Sequence, residues 1–242
     1  MAIKFYYGGV RARGSVMRYV LDHAEADWEE IEVWEDKCKF VFEKAKWQEK
    51  YGKFVTTPLI EDKDTEISCT ATAPILLYLG EKFEYFGKNQ QGKYQILAAV
   101  DKITALREAF LYGFFPNASP PKTEDHLKVF EQQLTDHATK FLFDNEKLSI
   151  ADFYLFSLLV TLQDWKPDLL DKFPKITEFI ENMLLDDKVK KRYDKEKQIP
   201  WVSAGNFTTY FGKIATGKEI KIEDCGKVYA WGYDMDHMKP AF

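Results

Sequence analysis

The chain has 242 residues, of which 45% are hydrophobic and 30% are charged, and its formal net charge is -5 at pH 7. A chain of this length can bury the core of one large domain or of two smaller ones. The negative balance argues against a nucleic-acid-binding role, because such a role needs a dense basic face that neutralises phosphates.

The first third of the chain alternates between strand and helix patterns. Apolar spacing with a period of two, and then with a helical period, predicts the order β-α-β-α-β-β-α. The segments are residues 3–7, 16–24, 28–34, 38–51, 58–60, 67–69 and 72–79. This order is that of a thioredoxin-like α/β domain.

From Gln91 onward the pattern is helical throughout. One apolar stripe covers residues 96–106 and a second covers residues 127–134. Ser149 then opens a strongly apolar helix, and Pro174 begins one more. The sequence therefore predicts an all-α helical-bundle domain after the α/β domain.

The change from mixed to helical pattern sets the predicted domain boundaries. The predicted units are a thioredoxin-like domain at 1–83, a linker at 84–92, an all-helical domain at 93–202 and a C-terminal extension at 203–242.

No segment has the pattern of a secretory signal or of a membrane span, since Asp152 interrupts the longest apolar stretch, residues 150–162. The three cysteines form no Cys-x-x-Cys pair, which fits a reducing compartment. We therefore expect a cytoplasmic protein without a membrane partner.

Three separated segments carry a family resemblance. Tyr7 ends the first strand and is followed by Arg11-Ala12-Arg13, with Arg18 in the next helix. Thr57-Pro58 precedes the third strand, and Ser149-Ile150-Ala151-Asp152 has the form of a capping box. In this order, the segments resemble the cytosolic glutathione S-transferases, especially the tyrosine-type Alpha, Mu, Pi and Sigma classes.

The resemblance implies catalytic roles for Tyr7 and Arg13. Tyr7 would donate a hydrogen bond to the glutathione sulfur and stabilise the thiolate, which is the reactive form of a thiol. Arg13 would add positive potential near that sulfur. Thr57 would turn its main chain toward glutathione because the bond to Pro58 is cis in the family, and the tripeptide would pair like an added strand.

Other interpretations exist for three of these side chains. Tyr7 can simply close the core, with its hydroxyl bonded to the main chain. Ser15 is the rival nucleophile-activating hydroxyl, because serine-type transferases use a serine at the start of this helix, and capping of the helix is its structural interpretation. For Arg18, a structural salt bridge from the helix to an acid is as good an interpretation as a ligand contact. The Tyr7 and Arg-x-Arg arrangement favours Tyr7.

Further glutathione contacts are implied by the resemblance. Lys46 and Trp47 are the best candidates for the glycyl carboxylate. Thr72 occupies the place of the family's serine at the γ-glutamyl end and retains a hydroxyl that can cap the helix, while Ala71 replaces a glutamine. A second register places Thr70 there instead.

The chain also departs from the family pattern. Residues 54–56 are inserted before Pro58, and Ala109 stands where the family has an acid that reaches across the dimer to the γ-glutamyl amine. Glu108 and Asp101 are the possible replacements. Since a lost charged contact costs about 1–3 kcal/mol, weaker binding of glutathione is expected.

An apolar co-substrate pocket is implied between the two domains. Residues equally suited to a core would line it, and aromatic residues of the extension would close it. They are Val10, Tyr112, Phe114, Phe115, Phe207 and Tyr210.

The resemblance implies a homodimeric, cytoplasmic detoxification enzyme that conjugates glutathione to small hydrophobic electrophiles. Glutathione would be the co-substrate, and no cofactor, metal or nucleic acid is expected. One alternative is a non-catalytic structural or interaction protein with the same fold. Another is an isomerase or peroxidase that uses the same thiolate.

Overall fold

A four-stranded mixed sheet forms the centre of the N-terminal region in the computed structural model of the protein. The structure describes residues 2–33, 44–87, 89–112, 123–137, 139–144 and 147–199. The strands are β1 (Ile3–Tyr7), β2 (Trp28–Glu32), β3 (Leu59–Asp62) and β4 (Ile67–Thr70). Their order is β2-β1-β3-β4, with β1 parallel to β2 and antiparallel to β3, and with β3 antiparallel to β4.

Helices cover the sheet and make up the region that follows it. They are α1 (Gly14–His23), α2 (Lys44–Tyr51), α3 (Thr72–Lys82), α4 (Gln90–Tyr112), α5 (Thr123–His137), α6 (Ile150–Trp165), a 3-10 helix (Pro167–Lys172), α7 (Pro174–Leu184) and α8 (Asp187–Glu196). The predicted fold class is thereby confirmed. The predicted start of the second helix, Cys38, lies outside the described residues, as does the predicted extension at 203–242. The boundaries at residues 83 and 92 stay a prediction.

Alternation along β1 decides which side chains face the core. Ile3, Phe5 and Tyr7 are buried, whereas Lys4 and Tyr6 are only half-buried on the opposite face. The rings of Phe5 and Tyr7 stack with centroids 5.8 Å apart. The period-two pattern therefore places the Tyr7 ring under α1, in the interior of the protein.

The predicted capping box at the start of α6 is confirmed. The Ser149 hydroxyl accepts a hydrogen bond from the Asp152 N–H, and the Asp152 carboxylate accepts one from the Ser149 N–H at 2.7 Å. The same carboxylate accepts the Leu142 N–H at 2.8 Å. Because these groups are buried, the motif satisfies donors that water cannot reach, and it serves folding.

Helix α1 joins the sheet to the helical region. It packs against α6 and α8 as well as against α3. His23, at its C-terminal end, contacts the Tyr85 hydroxyl at 2.6 Å and the Asp186 carboxylate at 3.4 Å. No helix within the described ranges has the length and apolar character needed to cross a membrane.

Candidate active site

Tyr7 lies where β1 ends, beside the turn that leads into α1. Its side chain is 5% exposed, and its hydroxyl oxygen accepts a hydrogen bond from the Arg13 N–H at 3.0 Å. Burial raises the pKa of Tyr7, and the opposing effects of the Arg13 guanidinium, the Arg13 N–H, Arg107 and Arg18 are weaker. The phenol therefore stays protonated at neutral pH and can donate a hydrogen bond.

Gly14 makes room for the Tyr7 ring. A Cβ atom at this position would lie 2.4 Å from Cδ1 of Tyr7, which no real side chain tolerates. Sequence reasoning missed Gly14. The signal for it is a glycine at the first position of a helix that follows a strand-end aromatic residue.

Two arginines share one carboxylate next to this turn. The Arg13 side chain, which is 34% exposed, has its guanidinium 3.9 Å from the Glu108 carboxylate of α4. Arg107, the preceding residue of α4, hydrogen-bonds to the same carboxylate oxygen. Glu108 was considered above as an acid for a partner subunit, yet here it pairs within its own chain. Arg107 was also missed, and an arginine directly after the apolar stripe of α4 is the signal that points to it.

Ser15 and Arg18 belong to a buried network with Glu196 of α8. The Ser15 hydroxyl, on a residue that is 1% exposed, donates to the Glu196 carboxylate at 2.6 Å. The capping interpretation of Ser15 is wrong, because Arg13 occupies the N-cap position and no side chain caps the helix. The hydroxyl donates instead to a carboxylate of α8, which is 181 residues further along the chain.

Arg18 is a structural residue, as one of its two interpretations predicted. Its guanidinium bonds to the carboxylates of Glu30 at 2.6 Å and Glu196 at 3.1 Å. It also donates to the carbonyl groups of Gly8 and Val10 at 3.2 and 3.0 Å. These bonds hold the turn after Tyr7 in place. Arg11 is likewise engaged, in an ion pair with Asp164.

The Thr57-Pro58 bond is cis, as predicted. The main chain on either side is engaged, since the Thr56 N–H donates to the Thr70 hydroxyl at 2.9 Å and the Pro58 carbonyl accepts from the Ala71 N–H at 2.9 Å. Within the described part of the chain, the main-chain N–H and C=O of Thr57 form no backbone hydrogen bond. They can therefore pair with an added strand. The Thr70 hydroxyl donates in return to the Thr56 carbonyl, which weakens the register that gave it a ligand role.

Ala71 has a backbone conformation that favours glycine, with φ 70° and ψ 155°. Such a conformation costs about 1–3 kcal/mol and is found preferentially at functional sites. Ala71 is the N-cap of α3, and Thr72 is its first helical residue without any side-chain cap bond, so the predicted capping by Thr72 is wrong. The N–H groups at this helix start form a favourable place for an anion.

Trp47 and Val10 have packing contacts. The Trp47 ring lies edge-on against Tyr6 and tilted against Tyr51, each with centroids 5.4 Å apart, on the sheet face opposite the Tyr7 ring. Lys46 precedes it in α2. Val10 is 5% exposed. The roles predicted for these three residues stay predictions.

The remaining predicted pocket residues are not covered by the structure. The side chain of Tyr112 and the whole of Phe114, Phe115, Phe207 and Tyr210 lie outside the described residues. Within the ranges given above, no three residues of His, Cys, Asp and Glu lie where they would share a metal ion.

Comparison with known proteins shows which fold and which family the chain is similar to. Residues 119–196 match the family model described as "Glutathione S-transferase, C-terminal domain". A glutathione S-transferase of Gallus gallus is 28% identical over 224 residues, which cover 82% of this chain and 96% of the relative. The human glutathione S-transferase P is 25% identical over 196 residues, covering 76% and 88% of the two chains.

The solved structure of an Onchocerca volvulus Pi-class glutathione S-transferase superposes with a TM-score of 0.71 at 22% identity, over 85% of this chain and 100% of that one. The family model and the named relatives support a cytosolic glutathione S-transferase. The family model covers only the helical region. The structural likeness covers most of the chain, and so it also supports the glutathione S-transferase fold of the region that contains Tyr7.

Proposed function

We propose that the protein is a glutathione transferase in which Tyr7 activates the thiol of glutathione. One observation carries this proposal: the Tyr7 hydroxyl is buried, is held by the Arg13 N–H at 3.0 Å, and lies at the end of the strand next to the cis Thr57-Pro58 bond. A hydrogen-bond donor at a strand end suits a tripeptide that carries a thiol, because the nearby main-chain groups of Thr57 have no backbone hydrogen bond within the described ranges.

The chemistry follows from the protonation state of the two groups. A free thiol has a pKa of about 8.5, so only a few per cent of it is thiolate at neutral pH. The Tyr7 phenol has a raised pKa and stays protonated, and its proton can be shared with a thiolate sulfur. The thiol proton passes to solvent water, the thiolate attacks the electrophilic carbon, a carbon–sulfur bond forms, and the leaving group departs with its electron pair. No cofactor is needed.

The rest of glutathione would lie beside the segment that precedes β3, toward the start of α3. The Thr57 main chain would pair with the cysteinyl unit, and the start of α3 with Thr72 would receive the γ-glutamyl carboxylate. Lys46 and Trp47 are the proposed contacts of the glycyl end. The apolar co-substrate would contact Val10 together with the aromatic residues named above. We propose a cytoplasmic detoxification role on the same family grounds.

Retention on immobilised glutathione tests the proposal. The intact protein should bind the resin at neutral pH, elute with free glutathione, and conjugate glutathione to a generic aryl halide. A protein that is neither retained nor active would contradict the transferase proposal and would favour a non-catalytic role. Retention without conjugation would direct the search to isomerase and peroxidase substrates.

We propose further that the protein is a homodimer, and Phe54 supports this. Phe54 lies in the loop between α2 and β3 and is 94% exposed, although burial of a phenylalanine side chain contributes about 1.5–3 kcal/mol. In a two-fold dimer the contact occurs twice. Phe54→Ser is therefore expected to raise the dimer dissociation constant about a hundredfold or more, as measured by analytical ultracentrifugation over a dilution series.

Leu185→Ser is the matched control for Phe54→Ser. Leu185 is 78% exposed, in the turn between α7 and α8, and its substitution should leave the dissociation constant unchanged. If the two variants dimerise alike, Phe54 is not an interface residue.

A further inference from the structure

The positive charge of the two arginines near Tyr7 is larger than the negative charge of the acid that pairs with them. Arg13 and Arg107 both bond to Glu108, and in the described part of the chain Glu108 is the one acid that pairs with either. Arg18 differs, because Glu30 and Glu196 both pair with it. Arg11 differs as well, because it pairs with Asp164. Two guanidinium groups and one carboxylate therefore leave one unit of positive charge in the Arg13–Glu108–Arg107 cluster.

Arg107 is the most firmly held member of this cluster. It is 7% exposed, and its Nε donates to the Tyr154 hydroxyl of α6 at 3.2 Å. Tyr154 is 2% exposed, and the Thr104 hydroxyl lies 3.4 Å from the same oxygen. Because two packed helices fix this cation, it does not need to move when a negative charge approaches. No free energy of reorganisation then reduces its stabilisation of that charge.

Arg13 lacks such support on its own element. Its side chain is 34% exposed, in the turn before α1, and Glu108 is the acid that restrains it. Because Arg107 binds the same carboxylate oxygen of Glu108, the position of Arg13 depends on α4. The link passes from Tyr154 through Arg107 and Glu108 to the turn that carries the N–H bonded to Tyr7.

The field of Arg107 also reaches the Tyr7 phenol. Burial is the main influence and raises the pKa of Tyr7, while the guanidinium groups of Arg13 and Arg107 act in the lowering direction. A negative charge that forms beside the phenol would interact favourably with the same two guanidinium groups.

We infer that Arg107 and Glu108 are positioning residues that set, from α4, the charge met by the thiol of bound glutathione. Arg107 holds Glu108 and adds a fixed positive charge, and Glu108 neutralises part of the charge of both arginines. This inference rests on the proposed function. It predicts that these two adjacent residues act in opposite directions on the thiol of bound glutathione.

The test compares Arg107→Gln with Glu108→Gln. The first variant removes the fixed cation and should raise the pKa of the bound glutathione thiol by about half a unit to one unit. The second removes the neutralising anion and should lower that pKa by a similar amount. The readouts are the ultraviolet absorbance of the bound thiolate during a pH titration and the pH profile of kcat/KM. Arg107→Lys, which keeps the charge, should shift the pKa less than Arg107→Gln.

Control variants separate a local effect from a general change of charge. Lys190→Gln in α8 and Glu181→Gln in α7 alter exposed residues by the same charge as the two test variants, and both should leave the thiol pKa unchanged. Circular dichroism checks that Arg107→Gln is folded. Glu108 is 40% exposed, so Glu108→Gln tests the inference even if Arg107→Gln does not fold.

The outcomes distinguish the inference from the proposed function. Shifts of opposite sign in the two variants support the inference. Shifts of the same sign, or no shift in Glu108→Gln, would overturn it while a shifted thiol pKa in Tyr7→Phe still supported thiol activation. No shift in Tyr7→Phe would instead contradict the proposed function itself.

Discussion

Replacing Tyr7 by phenylalanine is expected to lower kcat/KM for glutathione conjugation by about tenfold to a thousandfold, since one hydrogen-bond donor to the developing anion is lost. The pKa of the bound glutathione thiol should rise in the same variant. The ring would keep its stacking on Phe5 and its place beside Gly14, so the fold should survive. Steady-state kinetics and thiolate absorbance measure the two effects.

Ser15→Ala is the control for Tyr7→Phe. Ser15 is buried and its hydroxyl donates to the Glu196 carboxylate, so the variant should lose about 1.5–3 kcal/mol of stability and retain the thiol pKa of the wild type. The assignment of Tyr7 would be wrong if Tyr7→Phe had nearly normal activity and Ser15→Ala were inactive but folded.

The Glu196→Ala variant should lose about 3 kcal/mol of unfolding free energy, because removing one partner from a buried ion network leaves the others without compensation. Glu196 is 1% exposed and accepts hydrogen bonds from Ser15, Arg18 and Arg192. This loss of unfolding free energy is at the low end of the range for buried ion pairs. We expect the low value because Arg18 keeps its ion pair with Glu30, and Arg192 keeps one with Asp22 at 3.4 Å.

Denaturant unfolding measures the effect of Glu196→Ala. Glu181→Ala, at an exposed position of α7, is the matched control and should change the unfolding free energy by less than about 0.5 kcal/mol. Equal stability of the two variants would show that the network around Glu196 does not stabilise the fold.

The fold was predictable where neighbouring residues decide it. The alternation of residues 3–7 defines β1 and buries Tyr7, and Ser149 with Asp152 caps α6 through bonds that span three residues. These signals are local. The order of strands and helices followed from them, and so did the change to an all-helical region.

The cap assignments failed because they depend on where a helix begins. Ser15 lies one residue after Gly14, the start of α1, and Thr72 is itself the first residue of α3. The N-cap is two positions before the hydroxyl residue in α1, at Arg13, and one position before it in α3, at Ala71. A shift of one or two residues in a helix boundary is beyond the resolution of apolar spacing.

The charged partners in the candidate site were not predictable because they are distant in the chain. Ser15 and Glu196 are 181 residues apart in the sequence, and Arg13 meets Glu108 only when α1 packs near α4. Apolar spacing predicts which faces are buried but not which acid meets which base. Arg107 was overlooked for this reason.

The bonds of Glu196 also have a consequence for synthesis of the protein. Domains generally fold in order from the N-terminus while the chain is still being made, and α1 emerges early. Arg18 is 1% exposed in the finished protein and pairs with Glu196 as well as with Glu30. A nascent chain that stops short of α8 has therefore made Tyr7 but still lacks an anchor of the turn that follows it, and this part of the candidate site is completed only when α8 leaves the ribosome.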